Sequence, residues 1–342
     1  MTSGATKGAA RFPKRWVSYG LAALGLALAA YLLHRALSRY TLDEISASIG
    51  SIPRGDLGIA ALFAAASYLC LTGFDWLGLR YVGKPLSYPR TALASFVSLS
   101  LGHSIGFAGV SSGAFRYRYY SRWGLSALEV GKLVVFCGAT VGLGLLVLGS
   151  AALLLRPDLP AGFAGLSPGL VRAIGIAGAA LAILYFVLAA KLRRPLRIRN
   201  VTIEMPPLRL AAAQMLVGTV NFALVAACLA SVVSAASEAR YLDVATAYVT
   251  GNVMTLLTHV PGGLGVIETA VMYLLPGASL IGPLIAFRVI YFLLPLAIGL
   301  LTFLGAELAF RRSGAAPNRG RPNGREEAHQ RAHEPEGALR VE

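Results

Sequence analysis

Charge is scarce in this sequence, and acidic charge above all. Only 14% of residues are Asp, Glu, Lys or Arg, where a soluble domain carries about 25%. With 56% hydrophobic residues and a mean hydropathy of +0.64, the shortage excludes an ordinary soluble fold and points to a polytopic membrane protein. Sixteen acids stand against 31 lysines and arginines, a formal net charge of +15. Such a balance suits nucleic acid, but the basic residues sit in short clusters between apolar runs, as the positive-inside rule expects. They report topology and anionic headgroups, and no nucleic-acid partner is expected. Cysteine is scarce too. Cys70, Cys137 and Cys228 each fall inside an apolar run without CxxC spacing, which excludes a disulfide framework and a zinc site and leaves buried thiols. Enzyme signatures are also missing: there is no HExxH, GxSxG or P-loop pattern, and GlyGlyLeuGly at 262–265 is too short for a dinucleotide fingerprint. Neither a catalytic set, a cofactor nor a metal is expected.

What is present is a series of apolar segments read against a span of about 20 residues. The basic stretch 1–15 is expected in the cytoplasm and 16–33 as a retained first span. Segment 57–79 follows as the second, with Asp75 near its inner end, where a carboxylate reaching headgroups or water is the simpler reading than catalysis. Further spans are expected at 128–155, 170–190, 210–233 and 280–304. The loop 191–209, holding Lys191, Arg193, Arg194, Arg197, Arg199 and Arg209, is the strongest cytoplasmic signal. The pair Gly138 and Gly142 fits close helix packing. The tail 311–342 is polar and expected to be disordered. Both termini then face the cytoplasm.

Two apolar segments are interrupted. In 92–113 the serines and glycines favour a re-entrant hairpin over a span, which keeps Arg116, Arg118 and Arg122 with the other cytoplasmic arginines. In 245–275 the break is HisValProGlyGlyLeuGlyValIleGlu, 259–268, where three glycines and a proline make a continuous helix improbable. Freed backbone groups cannot face lipid, so such a break is buried in protein or lines a wet cavity. Three spans lie between the segments, so the hairpins open from opposite sides. An inverted pair of broken segments points to a transporter's central site. The fold expected is all-α: six spans and two re-entrant hairpins, in a membrane domain covering 16–310.

The candidate binding residues gather around these breaks. His259 and Glu268 flank the second break, and Gly262, Gly263 and Gly265 let backbone approach a headgroup closely. Arg288 lies inside the last span, at a cost of about 2.5–3.5 kcal/mol on insertion scales. It needs a carboxylate or a phosphate: Glu268 is the protein partner available, a lipid phosphate the functional one. Arg116 and Arg118, interleaved with tyrosines over 111–120, are interface chemistry in which guanidinium grips phosphate. His103, near the first break, fits helix packing more readily than a ligand role.

At SerSerGlyAlaPheArgTyrArgTyrTyrSerArgTrpGly (111–124), the 259–268 motif and PheArgValIleTyrPheLeuLeuPro (287–295), the chain resembles the lysylphosphatidylglycerol synthase transmembrane-region family. That is the flippase-like membrane half of the bacterial multiple peptide resistance factor. The resemblance covers roughly 10–310. It implies a bacterial inner-membrane protein connected with lipid translocation, and it carries Arg116, Arg118, Glu268 and Arg288 over as functional positions. Two-part family members add further spans and a soluble aminoacyl-transferase domain, where this sequence has a polar tail. Aminoacylation is therefore not expected, and the two-part proteins' lipid specificity does not transfer. A flippase-like transporter of an anionic phospholipid is the first expectation. A membrane subunit that docks a separate lipid-modifying enzyme is the second.

Overall fold

A computed structural model describes residues 41–105, 108–192, 196–198, 201–203, 205–258, 265–275 and 280–312. The expected first span, the basic N-terminus and the tail beyond 312 lie outside them. The described chain is helical apart from a small antiparallel ribbon. In order it runs α1 (Leu42–Gly50), α2 (Arg54–Tyr81), α3 (Tyr88–Ile105), α4 (Ala108–Tyr120), a 3-10 turn (Ser121–Trp123), α5 (Ala127–Leu155), α6 (Asp158–Ala164), α7 (Pro168–Lys191), β1 (Leu196–Ile198), β2 (Val201–Ile203), α8 (Leu208–Val233), α9 (Tyr241–Thr258), α10 (Val266–Leu274), α11 (Ile281–Arg288), a π turn (Val289–Leu293) and α12 (Leu294–Arg312). The ribbon pairs Leu196 with Ile203 and sits inside the basic connection expected as a plain loop.

Five helical stretches among the described residues are long and apolar enough to cross a membrane: Arg54–Tyr81, Ala127–Leu155, Pro168–Lys191, Leu208–Val233 and Ile281–Phe310. They match the expected second to sixth spans. Their boundaries follow from local chemistry. Ser126 and Glu129 form a reciprocal capping box at the start of α5, the Ser126 hydroxyl accepting from the Glu129 N–H at 3.2 Å and the Glu129 carboxylate from the Ser126 N–H at 2.7 Å. Ser167 caps α7 ahead of Pro168, whose missing N–H costs nothing in a first turn. Side chains such as Leu62, Leu128, Val135 and Ile176 stay exposed, as apolar residues facing hydrocarbon would.

The centre is the crossing of α2, α5 and α8. A methyl group built on Gly144 of α5 would lie 2.7 Å from the Cα of Gly218 in α8. Hydrogen atoms at both positions let the two backbones touch. Gly138 and Gly142, expected to serve close packing, have open space beside them. The contact falls on the opposite side of the same helix, since Gly144 is about 160° round from Gly142 at 3.6 residues per turn. α7 lies outermost, with only 17% of its apolar window buried against 50% for α5 and α8.

Both interrupted segments are helix–break–helix units whose arms pack along each other. The first arms, α3 and α9, are 18 residues each. In each unit a glycine admits the second arm. A methyl on Gly102 would lie 2.8 Å from the Ser112 Cβ, and one on Gly251 would lie 3.0 Å from the Ile267 Cα. The Ser111 hydroxyl also donates to the Gly102 carbonyl at 3.1 Å.

Chain direction orders the ends. α2 leads to the end holding Lys84 and Arg90. α3 and α4 leave from it and return to it, since Trp123, just past α4, lies beside Arg90 and Glu129 at the start of α5 pairs with Lys84; Arg118 and Arg122 there pair with Glu307 near the end of α12. After α5, α7 and α8 the chain is at the opposite end, where Arg156 after α5 pairs with Asp243 in α9. The first arm of the second unit therefore starts at the end opposite to that of the first.

Candidate functional site

Two ion pairs, Asp75–Arg116 fully buried and Glu268–Arg288 partly buried, each take one member from the second arm of a broken unit. Glu268 lies in the first turn of α10, just after the break. Its carboxylate accepts the Gly265 N–H at 3.0 Å, and Gly265 turns the chain into the helix at φ 85°, a region that glycine enters without steric cost. A helix N-terminus favours that negative charge. Arg288, the last residue of α11, meets it with two nitrogens: Nε pairs with Oε1 and Nη2 donates to Oε2 at 2.9 Å. The side chains are 7% and 12% exposed, and the Phe292 ring lies 5.0 Å from the guanidinium carbon.

Arg288 also precedes the irregular stretch of the last span. Pro295 has no N–H to give the Tyr291 carbonyl four residues back, and the Tyr68 hydroxyl donates to that carbonyl at 3.3 Å instead. The Leu294 N–H reaches back five residues to Val289, the π-turn pattern that recurs at functional sites. Below it Ser67 hydrogen-bonds both Asn221 Oδ1, at 2.7 Å, and the Tyr291 hydroxyl, at 2.9 Å. A polar layer therefore joins α2, α8 and the last span beside the pair.

The second pair is Asp75–Arg116. Arg116 Nε donates to both Asp75 oxygens at 3.1 and 2.9 Å, Nη2 to Oδ1 at 2.7 Å, and Nη1 to the Ser112 hydroxyl at 2.9 Å. The Tyr120 hydroxyl adds a bond to Oδ2 at 2.8 Å, and the Cys137 thiol points at Oδ1 at 3.4 Å. Asp75 is 0% exposed. The expectation that it reaches headgroups or water is thus corrected. An ionised group at this depth needs a partner, and α4 supplies one. α4 runs on through Tyr120, so the second arm extends past the expected bound at 113 and carries the arginine–tyrosine run itself. Arg116, Tyr119 and Tyr120 are buried and only Tyr117 is well exposed. Arg118 donates to Glu307 at 3.0 and 2.7 Å.

Of the expected site residues, the structure brings Glu268, Arg288 and Gly265 together. It commits Arg116 and Arg118 to two separate carboxylates. His259, Gly262 and Gly263 lie outside the described residues, and for His103 only its place on α3 is described. Asp75 and Glu307 were missed as partners. The signal for Asp75 was its place within an apolar segment. Glu307 was hidden because the last helix continues past 304 to Arg312.

The chain is 30% identical over 285 residues to a Synechocystis protein named "Uncharacterized protein slr0712", covering 82% of this chain and 88% of that one. It belongs to that protein's family. A second relative, the inner membrane protein YbhN of Escherichia coli, is 26% identical over 275 residues, 77% of this chain and 83% of that protein. No protein-family model matches. Neither relative's name carries the lysylphosphatidylglycerol synthase likeness, so membership is shown at the level of a membrane family.

Proposed function

We propose that the chain is a flippase-like transporter of an anionic phospholipid in a bacterial inner membrane, its basic end in the cytoplasm. The observation that carries this reading is the pair of helix–break–helix units opening from opposite ends of the bundle, the arrangement in which broken helices build a transporter's central site. The buried Glu268–Arg288 pair at the mouth of the second break supports it. So does the three-motif likeness to a flippase-like family. A guanidinium released from a carboxylate is matched to a phosphate, so a headgroup would bind by replacing Glu268 at Arg288. The π turn next to Arg288 gives the last span a place to bend. Movement would follow a gradient or ion coupling, and both re-entrant units would dip into the bilayer.

The test is reconstitution into liposomes with labelled phospholipids. The expected result is faster leaflet exchange of anionic than of zwitterionic lipid, lost in Arg288→Gln. Vesicles that stay inert with every headgroup would overturn transport and leave the role of a membrane subunit for a separate lipid-modifying enzyme.

A further inference from the structure

The last turn of α4 and the 3-10 turn after it hold polar atoms that the scheme above does not use. The Tyr119 hydroxyl belongs to a residue that is 0% exposed. Neither it nor Arg122 Nη1, also buried, has a hydrogen-bond partner among the described residues. Residues three apart on a helix are neighbours, and the Tyr119 phenol feels the charges of Arg118, Arg122 and Glu307. Glu307 is already shared between Arg118 at 2.7 Å and Arg122 at 3.1 Å. Arg90 lies behind, its guanidinium carbon 6.0 Å from the Trp123 ring, and Trp123 stacks on Tyr119 at 6.1 Å. Two guanidinium groups thus share one carboxylate, in a cluster walled by Trp123, Phe303 and Phe310, with Arg90 on the far side of Trp123.

Buried polar groups in native proteins are paired almost without exception, and each orphan calls for a reason. Here two unpaired groups able to donate belong to a cluster in which two guanidinium groups share one carboxylate, and that excess of positive charge repels a cation and suits an acceptor with several oxygens. We propose that this cluster, at the basic end between α4 and α12, binds a phosphate group that carries no compensating cation. Arg122 is the group that reaches it first, because its side chain is 24% exposed. The Tyr119 hydroxyl, unpaired and free to turn about its C–O bond, is the second donor. The aromatic wall suits the glycerol and first methylenes of a lipid, and free phosphate would satisfy the same donors. The site is separate from Glu268–Arg288 and does not depend on transport. A protein that moves no lipid can still show it.

The experiment follows the melting temperature of the full chain in detergent with phosphatidylglycerol, phosphatidylcholine, inorganic phosphate or chloride at matched ionic strength. Tyr119→Phe keeps the ring and removes the orphan hydroxyl, so without ligand it should melt at or above wild type. Arg122→Gln removes the charge. Phosphatidylglycerol should raise the wild-type melting temperature, with the rise at least halved in Tyr119→Phe and absent in Arg122→Gln. The same pattern with inorganic phosphate would assign free phosphate as a ligand. An equal rise in wild type and both variants would overturn the site, and so would phosphatidylcholine acting as strongly as phosphatidylglycerol.

Discussion

At the scale of single residues, the smallest side chains decide how the bundle closes. Gly144 and Gly218 meet with no room for a methyl, whereas Gly138 and Gly142, with the same four-residue spacing as a close-packing motif, face open space. Spacing identifies a face of a helix but not which face meets a neighbour. Gly144→Ala or Gly218→Ala should therefore lower the melting temperature, forcing the helices apart at a cost of about 1–3 kcal/mol. Gly138→Ala and Gly142→Ala should be neutral or stabilising, since alanine is the better helix former by about 1 kcal/mol. Thermal melts of the four purified variants check this. A large loss at 138 or 142 would contradict the packing described.

At the scale of elements, the two broken units are each tied down by a buried charge from the second arm, but the ties differ. Asp75–Arg116 joins α2 to α4 with bonds on every side and no exposed edge. Glu268–Arg288 joins α10 to α11 beside a break. Removing one partner strands the other, at roughly 3–5 kcal/mol. Asp75→Asn and Arg116→Gln should each lower thermal stability strongly, and the double variant should regain much of it. Glu268→Gln and Arg288→Gln should show a smaller loss, because the pair is 12% and 7% exposed at its two ends and water can reach it. Their double variant should be stable yet inactive in lipid exchange. If it instead transports like wild type, the pair is only a clamp between helices. The Glu268–Arg288 partnership was legible because few charges lie in those apolar segments. Asp75 and Arg116 are 41 positions apart, and no local pattern joins them.

At the scale of the whole molecule, the two ends differ in charge and in which unit they admit. Lys84 is half-exposed at the basic end, and Glu238 is exposed in the turn between α8 and α9 at the other. In a variant whose three native cysteines are replaced, Lys84→Cys should be labelled by an impermeant thiol reagent only from the cytoplasm, and Glu238→Cys only from outside. Labelling of both from one side would mean that an even number of spans separates them, and the opposite sense of the two units would fall.

The apolar runs by themselves determined where the spanning helices lie. Lipid demands a continuous hydrogen-bonded helix of sufficient length, and composition alone reveals it. Glycine, proline and serine density likewise marked the two segments in which one helix gives way to another, α3 to α4 and α9 to α10, because those residues act on the backbone where they stand. The tertiary structure alone decided which face of α5 meets α8, that α4 turns its arginines inward, and which carboxylate each of them takes. Those outcomes depend on how helices far apart in the chain rotate against one another. A buried charge announces that it needs a partner, but only packing brings that partner within hydrogen-bonding distance.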